Sequence, residues 1–327
     1  MTVSEAAVES YRGELIVYCY RFFASVDEAE DAVQETFVRA WRNSGSFEGR
    51  ASLRRWLYAI ATNVCLDMAK ARQRRCLPMD MNAPGHVPAN GQDLQTAEEA
   101  TWVTPIAGHR LLDDPADAAV QRDTVRLAFI TALQCLPPRQ RVVLILRDVL
   151  SWTAAETAAL LDSSVASVNS ALARARTTLR DRQAAKSGKD QGSVAEVEVE
   201  VEVEDVAEVD RQLLWSYVSA FGAYDVDRLV ALLAEDARFT MPPYTLWLEG
   251  RTDIEAWWRG PGQVCRDSEV IPTSVNGQSA VAVFHDGAAF ALHVLGTRAG
   301  RITSITHFMD TRVFGDLGDL GDLPTDR

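Results

Sequence analysis

One face of the segment 165–182 combines small polar side chains with arginines. Ser167, Ser170 and Arg174 recur at steps of three or four residues, which places them on the same side of a helix. Hydroxyl and guanidinium groups in this arrangement can hydrogen-bond base edges in a major groove, and neighbouring arginines can hold phosphates. The spacing predicts an amphipathic helix whose other side is an apolar stripe of Val165, Val168, Leu172, Ala175 and Leu179.

A shorter, alanine-rich helix precedes this one, and the polar break Asp162-Ser163-Ser164 separates the two. Two helices joined by a short turn are typical of a helix-turn-helix DNA-binding motif. The same pattern also fits an ordinary helical hairpin with a solvated polar face, because such patterns often arise by chance. The segment alone leaves both interpretations open.

The charge of the chain is distributed unevenly between its two halves. Residues 1–189 contain 23 Lys and Arg against 22 Asp and Glu, whereas residues 190–327 contain 10 against 24. The halves therefore carry net charges of +1 and −14 within a total of −13. In the first half, basic residues cluster at 50–75 and at 174–189. Because attraction to phosphate acts over about 8–10 Å, two local basic patches can bind nucleic acid even in an acidic protein.

Length and composition narrow the class of protein. At 327 residues, of which 47% are hydrophobic, the chain predicts two or three compact units. It has no apolar run long enough to span a membrane and no secretion-signal pattern at its N-terminus, so we expect a cytoplasmic protein. The five cysteines form no CxxC pair and no cluster with histidines, which argues against a zinc site or a disulfide framework.

The first half is predicted to be helical. Within residues 1–75, we expect helices over 5–24, over 27–41 with Asp27 as its N-cap, and from Ser52 into the basic run that ends at Arg75. Val33, Phe37 and Trp41 are expected on the buried side of the second helix. A proline-rich linker at 76–121 follows, and helices resume over 122–183.

The second half is predicted to be an α+β unit. An acidic Val-Glu tether at 184–207 leads to a domain at 208–315, and a flexible Gly-Asp-Leu tail occupies 316–327. Within the domain, helices are expected at 213–224, 226–233 and 253–259. Alternating or apolar runs predict a curved antiparallel sheet with strands at 237–241, 270–275, 280–285, 288–297 and 302–307.

Two stretches of the first half carry ordered motifs. The first reads DEAEDAVQETFVRAW at 27–41, then FEGR at 47–50 and LRRWLYAIATN at 53–63. The second reads LPPRQR at 136–141 and is followed by the helix-turn-helix. Together they resemble the region 2 and region 4 modules of bacterial extracytoplasmic-function sigma factors, a group of the sigma-70 family. The resemblance implies a subunit that binds core RNA polymerase and directs it to promoter DNA.

For region 2, the resemblance implies contacts with polymerase and with the −10 element. The face formed by Asp31, Gln34 and Glu35 would dock on the polymerase clamp helices, although alone it would pass for a solvated face. The segment after residue 46 would open the −10 element, because aromatic rings can stack on an unpaired base and cationic groups can hold its phosphates. Trp56 fits a core role equally well. The −10 candidates are Phe47, Arg50, Arg55, Trp56, Tyr58, Asn63, Arg72 and Arg75.

For region 4, the resemblance implies that the second helix of the helix-turn-helix reads the −35 element. The commonest pattern of the group has a lysine and an arginine where this chain has Asn169 and Ala171. Because one good bidentate contact gives about 1–3 kcal/mol of discrimination, we expect weaker or differently specified reading. The base-contact candidates are Ser167, Asn169, Ser170 and Arg174, and the phosphate candidates are Arg147, Arg176 and Arg180.

The segments 239–243, 247–250 and 305–308 are similar to the SnoaL-like branch of the NTF2-like cone fold. The chain is thus expected to be multidomain, with all-α region 2 and region 4 modules followed by an α+β cone. The linker 76–121 would thread through the polymerase cleft, where its acidic residues could mimic nucleic acid or serve only as a spacer.

A cone of this kind normally encloses an apolar pocket, although aromatic residues in such a unit more often form plain core. Asp236, Asp310, His293 and His307 could act as acids or bases, but no pair has a spacing that demands catalysis. We therefore expect a regulatory domain that packs on the sigma modules or senses a small molecule. The pocket candidates are Trp215, Phe239, Met241, Trp247, Trp257, His293 and His307.

Two other classes of function stay open on the sequence alone. A helix-turn-helix regulator that acts without polymerase would leave the aromatic and basic segment 47–63 unexplained. A DNA-tethered enzyme would need a convergent acid and base set in the C-terminal pocket. The leading prediction is a sigma factor without catalytic residues, metal or cofactor. Its expected partners are core RNA polymerase and promoter DNA, with a small-molecule ligand or an anti-sigma protein as further candidates and no membrane.

Overall fold

The chain folds into two compact units. The computed structural model describes residues 4–47, 52–71, 74–89, 93–111, 123–186 and 203–317. Unit 1 comprises residues 1–75, 103–105 and 110–192, and unit 2 comprises residues 76–102, 106–109 and 193–327. Most of the expected linker therefore belongs to the same unit as the C-terminal domain. Most of the Val-Glu tether and of the Gly-Asp-Leu tail lies outside the described residues.

Unit 1 is helical, as predicted. No helix in the described ranges is long and apolar enough to cross a membrane. The helices are α1 (Glu5–Glu9), α2 (Arg12–Phe23), α3 (Val26–Arg42), α4 (Leu53–Met68), α5 (Leu127–Leu133), α6 (Pro138–Leu144), α7 (Ala154–Leu160) and α8 (Val165–Lys186).

Helix caps set most of these boundaries. Ser52 caps α4 as predicted, since its side chain accepts from Arg55 N at 3.3 Å. The predicted cap of α3 is wrong: Ser25, not Asp27, is extended and accepts from Glu28 N at 3.4 Å. The single N-terminal helix expected over 5–24 is also corrected, because the helix is interrupted between Glu9 and Arg12 and forms α1 and α2.

The helix-turn-helix is formed by α7 and α8. A π-helical turn, Ile145–Val149, continues α6 and leads to Ser151, whose φ of 56° turns the chain. Thr153 and Glu156 then form a reciprocal capping box at the start of α7, with hydrogen bonds of 2.8 and 3.2 Å. Asp162, also left-handed at φ 46°, makes the break before α8.

The core of unit 1 lies around α2, most of whose residues are buried. Val33 and Phe37 of α3 are buried as predicted, but Trp41 is 58% exposed. The expectation for Trp41 is wrong because α1 and the start of α2 leave a groove of about 450 Å³ beside the last turns of α3. The groove keeps this indole in contact with solvent.

Unit 2 is a mixed sheet covered by helices. The helices are α9 (Val203–Gly222), α10 (Val226–Leu232) and α11 (Arg251–Arg259), and the strands are β1 (Leu233–Thr240), β2 (Trp247–Glu249), β3 (Glu269–Val275), β4 (Gln278–His285), β5 (Ala288–Arg298) and β6 (Arg301–Phe308). The strand order is β2-β1-β6-β5-β4-β3. The β1–β6 pair is parallel and the others are antiparallel, so the expectation of an antiparallel sheet is corrected at this pair.

Three tight hairpins fix the register of strands β3 to β6. Each has two turn residues at positive φ, which are Asn276-Gly277, Asp286-Gly287 and Ala299-Gly300. Positive φ at both positions is the geometry of a type I′ turn, whose twist matches that of the adjoining strands. The four strands consequently form one continuous meander.

The expected linker forms a strap along both edges of this sheet. At the β2 edge, Gly85 N donates to Trp247 O at 2.9 Å and the Trp247 indole donates to Asn82 O at 2.9 Å. At the β3 edge, Ile106 N donates to Asn276 Oδ1 at 3.1 Å, and Ala107 pairs with Val275. Since an uncovered edge strand is a template for aggregation, the strap protects the sheet at both ends.

Candidate nucleic-acid interface

The second helix of the helix-turn-helix, α8, separates its polar and apolar sides. Val168, Leu172 and Ala175 are buried on the side that packs against α6 and α7. Val165 departs from the predicted stripe, because it lies at the helix start and is 43% exposed. The four −35 base-contact candidates all lie on the exposed side, and they are Ser167, Asn169, Ser170 and Arg174.

The phosphate candidates of region 4 have different surroundings. Arg176 donates two hydrogen bonds to Asp148, at 2.9 and 2.7 Å, and the Asp148 carboxylate raises the pKa of this guanidinium. Arg147 donates to Trp152 O. Arg180 is exposed on α8. Arg147 and Arg176 therefore already bond other groups of region 4, Arg176 at the surface, whereas Arg180 faces solvent.

In region 2, the structure brings some of the −10 candidates together. The rings of Phe47 and Trp56 contact each other, with centroids 5.1 Å apart, and both residues are half-buried. Arg55 and Asn63 are exposed on α4. Arg50 and Arg72 lie outside the described residues. The Phe47–Trp56 pair forms a small aromatic platform next to the cationic Arg55.

Two other −10 candidates are corrected by the structure. Tyr58 is 1% exposed, and its hydroxyl donates to Glu14 Oε1 at 2.8 Å, because it lies on the core side of α4. Arg75 is 8% exposed and its guanidinium bonds Glu28 Oε1 at 3.0 Å. A buried guanidinium held by a carboxylate cannot reach a phosphate without breaking that pair. Neither residue is available to DNA in this structure.

The expected polymerase-docking face is accessible on α3. Asp31 and Gln34 are exposed, and Glu35 accepts a 2.7 Å hydrogen bond from Arg39. The groove beside Trp41 adjoins this face, with Gln34 on its rim. Trp41 was not expected at the surface, because its position continues the spacing of the buried Val33 and Phe37 into the last turn of α3.

Inside unit 2, two histidines pair across neighbouring strands. His293 of β5 lies directly opposite His307 of β6, and their rings stack in parallel with centroids 3.4 Å apart. Tyr217 of α9 hydrogen-bonds His293 Nδ1 through its hydroxyl at 3.0 Å. Phe239 meets the His307 ring edge-on at 4.6 Å. The pair is surrounded by aromatic core.

Burial keeps both imidazoles neutral. It lowers the pKa of His293 well below its usual value and that of His307 to about 3. Of the other acid and base candidates, Asp236 lies 3.5 Å from Arg298, and Asp310 accepts from Arg312 at 2.9 Å. At neutral pH the histidine pair is thus an uncharged element of the core.

The structure gathers only part of the predicted pocket. Phe239, Met241 and Trp257 lie in the core of unit 2, where Phe239 contacts both Trp257 and His307. The prediction that Trp215 lines the pocket is wrong, because this residue is 49% exposed on the outer side of α9. The prediction for Trp247 is also wrong, because its indole hydrogen-bonds the strap. Tyr217 and Phe221 also lie in this core and were not among the predicted residues, although their spacing of four residues within an amphipathic helix was a usable signal.

Comparisons with known proteins match three parts of the chain. The Sigma-70 region 2 model matches residues 7–75, the Sigma-70 region 4 model residues 126–179, and the SnoaL-like domain model residues 216–314. The ECF RNA polymerase sigma factor SigG of Mycobacterium tuberculosis is 40% identical over 322 residues, which are 96% of this chain and 83% of SigG.

Two further similarities extend over most of the chain. The probable ECF RNA polymerase sigma factor SigI of Mycobacterium tuberculosis is 27% identical over 308 residues, which are 92% of this chain and 91% of SigI. The superposition on the crystal structure of Mycobacterium tuberculosis SigJ covers 96% of this chain and 99% of the SigJ chain, with a TM-score of 0.62 and 21% sequence identity. The latter similarity supports the fold.

Proposed function

Because this chain belongs to the extracytoplasmic-function RNA polymerase sigma factors, we propose that it binds core RNA polymerase and starts transcription at promoters that both helical modules contact. In this proposal, α8 reads the −35 element, and the Phe47–Trp56 platform with Arg55 contacts the −10 element. The observation that carries it is the exposed polar face of α8 within a capped helix-turn-helix. Transcription is cytoplasmic in bacteria, so the protein would act there.

The decisive experiment is run-off transcription with core RNA polymerase on several promoters, including the protein's own. We expect promoter-specific transcripts, and Arg174→Ala should reduce them by about 5- to 150-fold, because an arginine contact to a base gives about 1–3 kcal/mol. Arg228→Ala, which removes an exposed arginine of α10, is the matched control. Equal yields for the two variants would reject the role of Arg174. Transcripts no higher than with core polymerase alone would reject the function.

The exposed indole of Trp41 is proposed to anchor the protein on polymerase. Replacing Trp41 with alanine should weaken the affinity for core polymerase by about 30-fold or more, since a central interface tryptophan contributes about 2 kcal/mol or more. The fold should be retained because the side chain is 58% exposed. Fluorescence anisotropy of labelled protein titrated with core enzyme measures the change. Trp215→Ala, an exposed tryptophan of unit 2, is the control, and the same affinity for both variants would contradict the anchor.

We further propose that unit 2 regulates the sigma modules by holding the strap, which connects region 2 to region 4 in the sequence. The strap segments 82–89, 93–97 and 106–108 are bonded to the two edges of the sheet, so the position of this connection depends on unit 2. A small-molecule ligand or an anti-sigma protein that altered unit 2 would then change how the modules reach a promoter.

Replacing Trp247 with phenylalanine tests the strap. The change keeps an aromatic ring but removes the 2.9 Å hydrogen bond to Asn82 O. Loss of one such bond removes about 1 kcal/mol, so amide exchange in residues 82–89 should accelerate about fivefold, and transcript yield should change. Trp215→Phe is the control. Faster exchange without any change in transcription would separate the strap from regulation and contradict the proposal.

A further inference from the structure

Two cysteines that lie far apart in the sequence meet inside region 2. Cys19 of α2 and Cys65 of α4 are 46 positions apart, and the Cys65 thiol donates to Cys19 Sγ at 3.7 Å. Both side chains are 0% exposed. Their spacing along the chain gives no sign of this pair, because only the packing of α4 on α2 brings the two thiols together. Neither residue takes part in the proposed contacts with polymerase or DNA.

The two sulfurs are close enough to form a disulfide after a small movement. The S–S distance of a disulfide is about 2.05 Å, so the sulfurs must approach each other by roughly 1.6 Å from their present 3.7 Å. In a reducing compartment, a disulfide is typically transient and belongs to redox sensing rather than to a structural framework. The pair is therefore a candidate for reversible oxidation.

The surroundings close off both thiols and keep the Cys65 thiol protonated. Burial raises the pKa of Cys65, and the hydrogen bond to Cys19 acts in the same direction, whereas the guanidinium of Arg141 favours the thiolate. Beside the pair, the hydroxyls of Tyr18 and Thr62 hydrogen-bond each other at 2.7 Å and join the same two helices. Because the thiolate is the nucleophile, the pair reacts only when α4 moves locally away from α2.

This enclosure selects a small neutral oxidant, of which hydrogen peroxide is the simplest. One sulfur attacks an oxygen of the peroxide, the O–O bond breaks, and a sulfenic acid and a water molecule result. The second sulfur then attacks the sulfenic sulfur, and the hydroxyl leaves as water. Two thiols and one peroxide thus give one disulfide and two water molecules, and two electrons pass from the sulfurs to the peroxide oxygens.

A bond at this position acts on the helix that carries −10 candidates. Arg55 and Asn63 are exposed on α4, whereas Cys65 lies on its buried side. Because a protein interior is close-packed, drawing the two sulfurs together changes how α4 lies on α2 and therefore where Asn63 is presented. A covalent link between the helices also restricts the adjustment of α4 to DNA.

We propose that Cys19 and Cys65 form a reversible disulfide when the protein meets hydrogen peroxide, and that this bond fixes α4 to α2 and lowers transcription. The effect on transcription rests on the proposed function, whereas the disulfide itself does not. The pair is then an oxidative modification site inside the module that contacts the −10 element.

The modification site is tested on the folded full-length protein with Cys135→Ala, which removes the partly exposed thiol. After treatment with hydrogen peroxide and alkylation of the remaining thiols, mass spectrometry of peptides should show Cys19 joined to Cys65. Thr62→Val removes the 2.7 Å hydrogen bond between the helices and should speed the reaction about fivefold, the factor that one such bond contributes. Thr36→Val, which removes a buried hydrogen bond within α3, should leave the rate unchanged. Recovery of both cysteines as free thiols, or their joining only after denaturation, would overturn the proposal.

Run-off transcription tests the consequence, with peroxide removed before core polymerase is added. In the Cys135→Ala background, peroxide should lower the promoter-specific transcript about fivefold or more, the least that one lost base contact costs, and dithiothreitol should restore it. Cys65→Ala in this background should be insensitive, and Cys265→Ala, which removes a buried thiol of unit 2, should respond like the background. An equal loss in Cys65→Ala, or a disulfide without any loss, would overturn the proposal. If the reduced protein makes no promoter-specific transcript, the proposed function fails instead, and the peptide analysis still decides the disulfide.

Discussion

Replacing Arg141 with alanine should destabilise unit 1 by about 3–5 kcal/mol, since hydrogen bonds to a charged group contribute about 1.5–3 kcal/mol each and are not additive. The guanidinium donates to four backbone carbonyls, those of Leu133, Gln134, Leu136 and Phe22, at 2.5–3.1 Å. Leu133 is the last residue of α5, and Gln134 and Leu136 follow it in the turn before α6, so the guanidinium fixes the end of one helix and the turn to the next. Burial lowers the pKa of Arg141 to about 10, so it stays charged at neutral pH.

Urea titration followed by hydrogen exchange in the α5 and α6 peptides measures this change separately from unit 2. Gln134→Ala is the graded comparison, because it removes one hydrogen bond to the same Phe22 O and should destabilise the unit by about 1 kcal/mol. An Arg141→Ala protein that unfolds at the same urea concentration as Gln134→Ala would show that the carbonyl cluster does not stabilise the unit.

Lowering the pH from 7 to 5 should lower the free energy of unfolding of unit 2 by about 4 kcal/mol. Below the pKa of a histidine in the unfolded chain, each buried neutral histidine lowers the stability of the fold by about 1.4 kcal/mol per pH unit. The unfolded chain binds a proton at each histidine near pH 6.5, whereas the folded pKa of His307 is about 3 and that of His293 is also far lower than usual. The stabilisation is thus complete above pH 6.5. It decreases as the pH falls from there toward the folded pKa values.

Thermal unfolding of unit 2 at a series of pH values checks this expectation. His307→Gln should reduce the dependence on pH by about half, because one of the two buried imidazoles is removed. His86→Gln, which replaces an exposed histidine of the strap, should leave it unchanged. An identical pH dependence for His307→Gln and the unchanged protein would show that the buried pair does not titrate on unfolding.

Local sequence signals predicted much of the fold because their causes are local. Ser52 caps α4, and Val168, Leu172 and Ala175 form the buried side of α8, as their spacing required. By contrast, β2 has only three residues, too few to show the alternation of a strand. The Asn-Gly pair at 276–277 is itself a hairpin signal, and it forms the turn between β3 and β4.

The site was less predictable, because contacts with residues distant in sequence decide which side chains are buried and which are exposed. Tyr58 and Arg75 have the chemistry of DNA contacts, but Glu14 and Glu28, remote in sequence, hold them inside. Trp247 has the composition of a pocket residue and instead bonds a strap residue 165 positions away. The −35 candidates on α8 and the polymerase contacts on α3 stay predictions until promoter and polymerase assays are made.

The strap along both edges of the sheet bears on how such a protein could evolve. A domain whose two edge strands bond a segment from the middle of the chain would keep those edges uncovered if it were fused alone at the C-terminus. The strap segments 82–89, 93–97 and 106–108 must change together with the sheet edges that they cover. Chimeras between relatives should therefore fold only when strap and domain come from the same parent, which makes the two a single unit of inheritance.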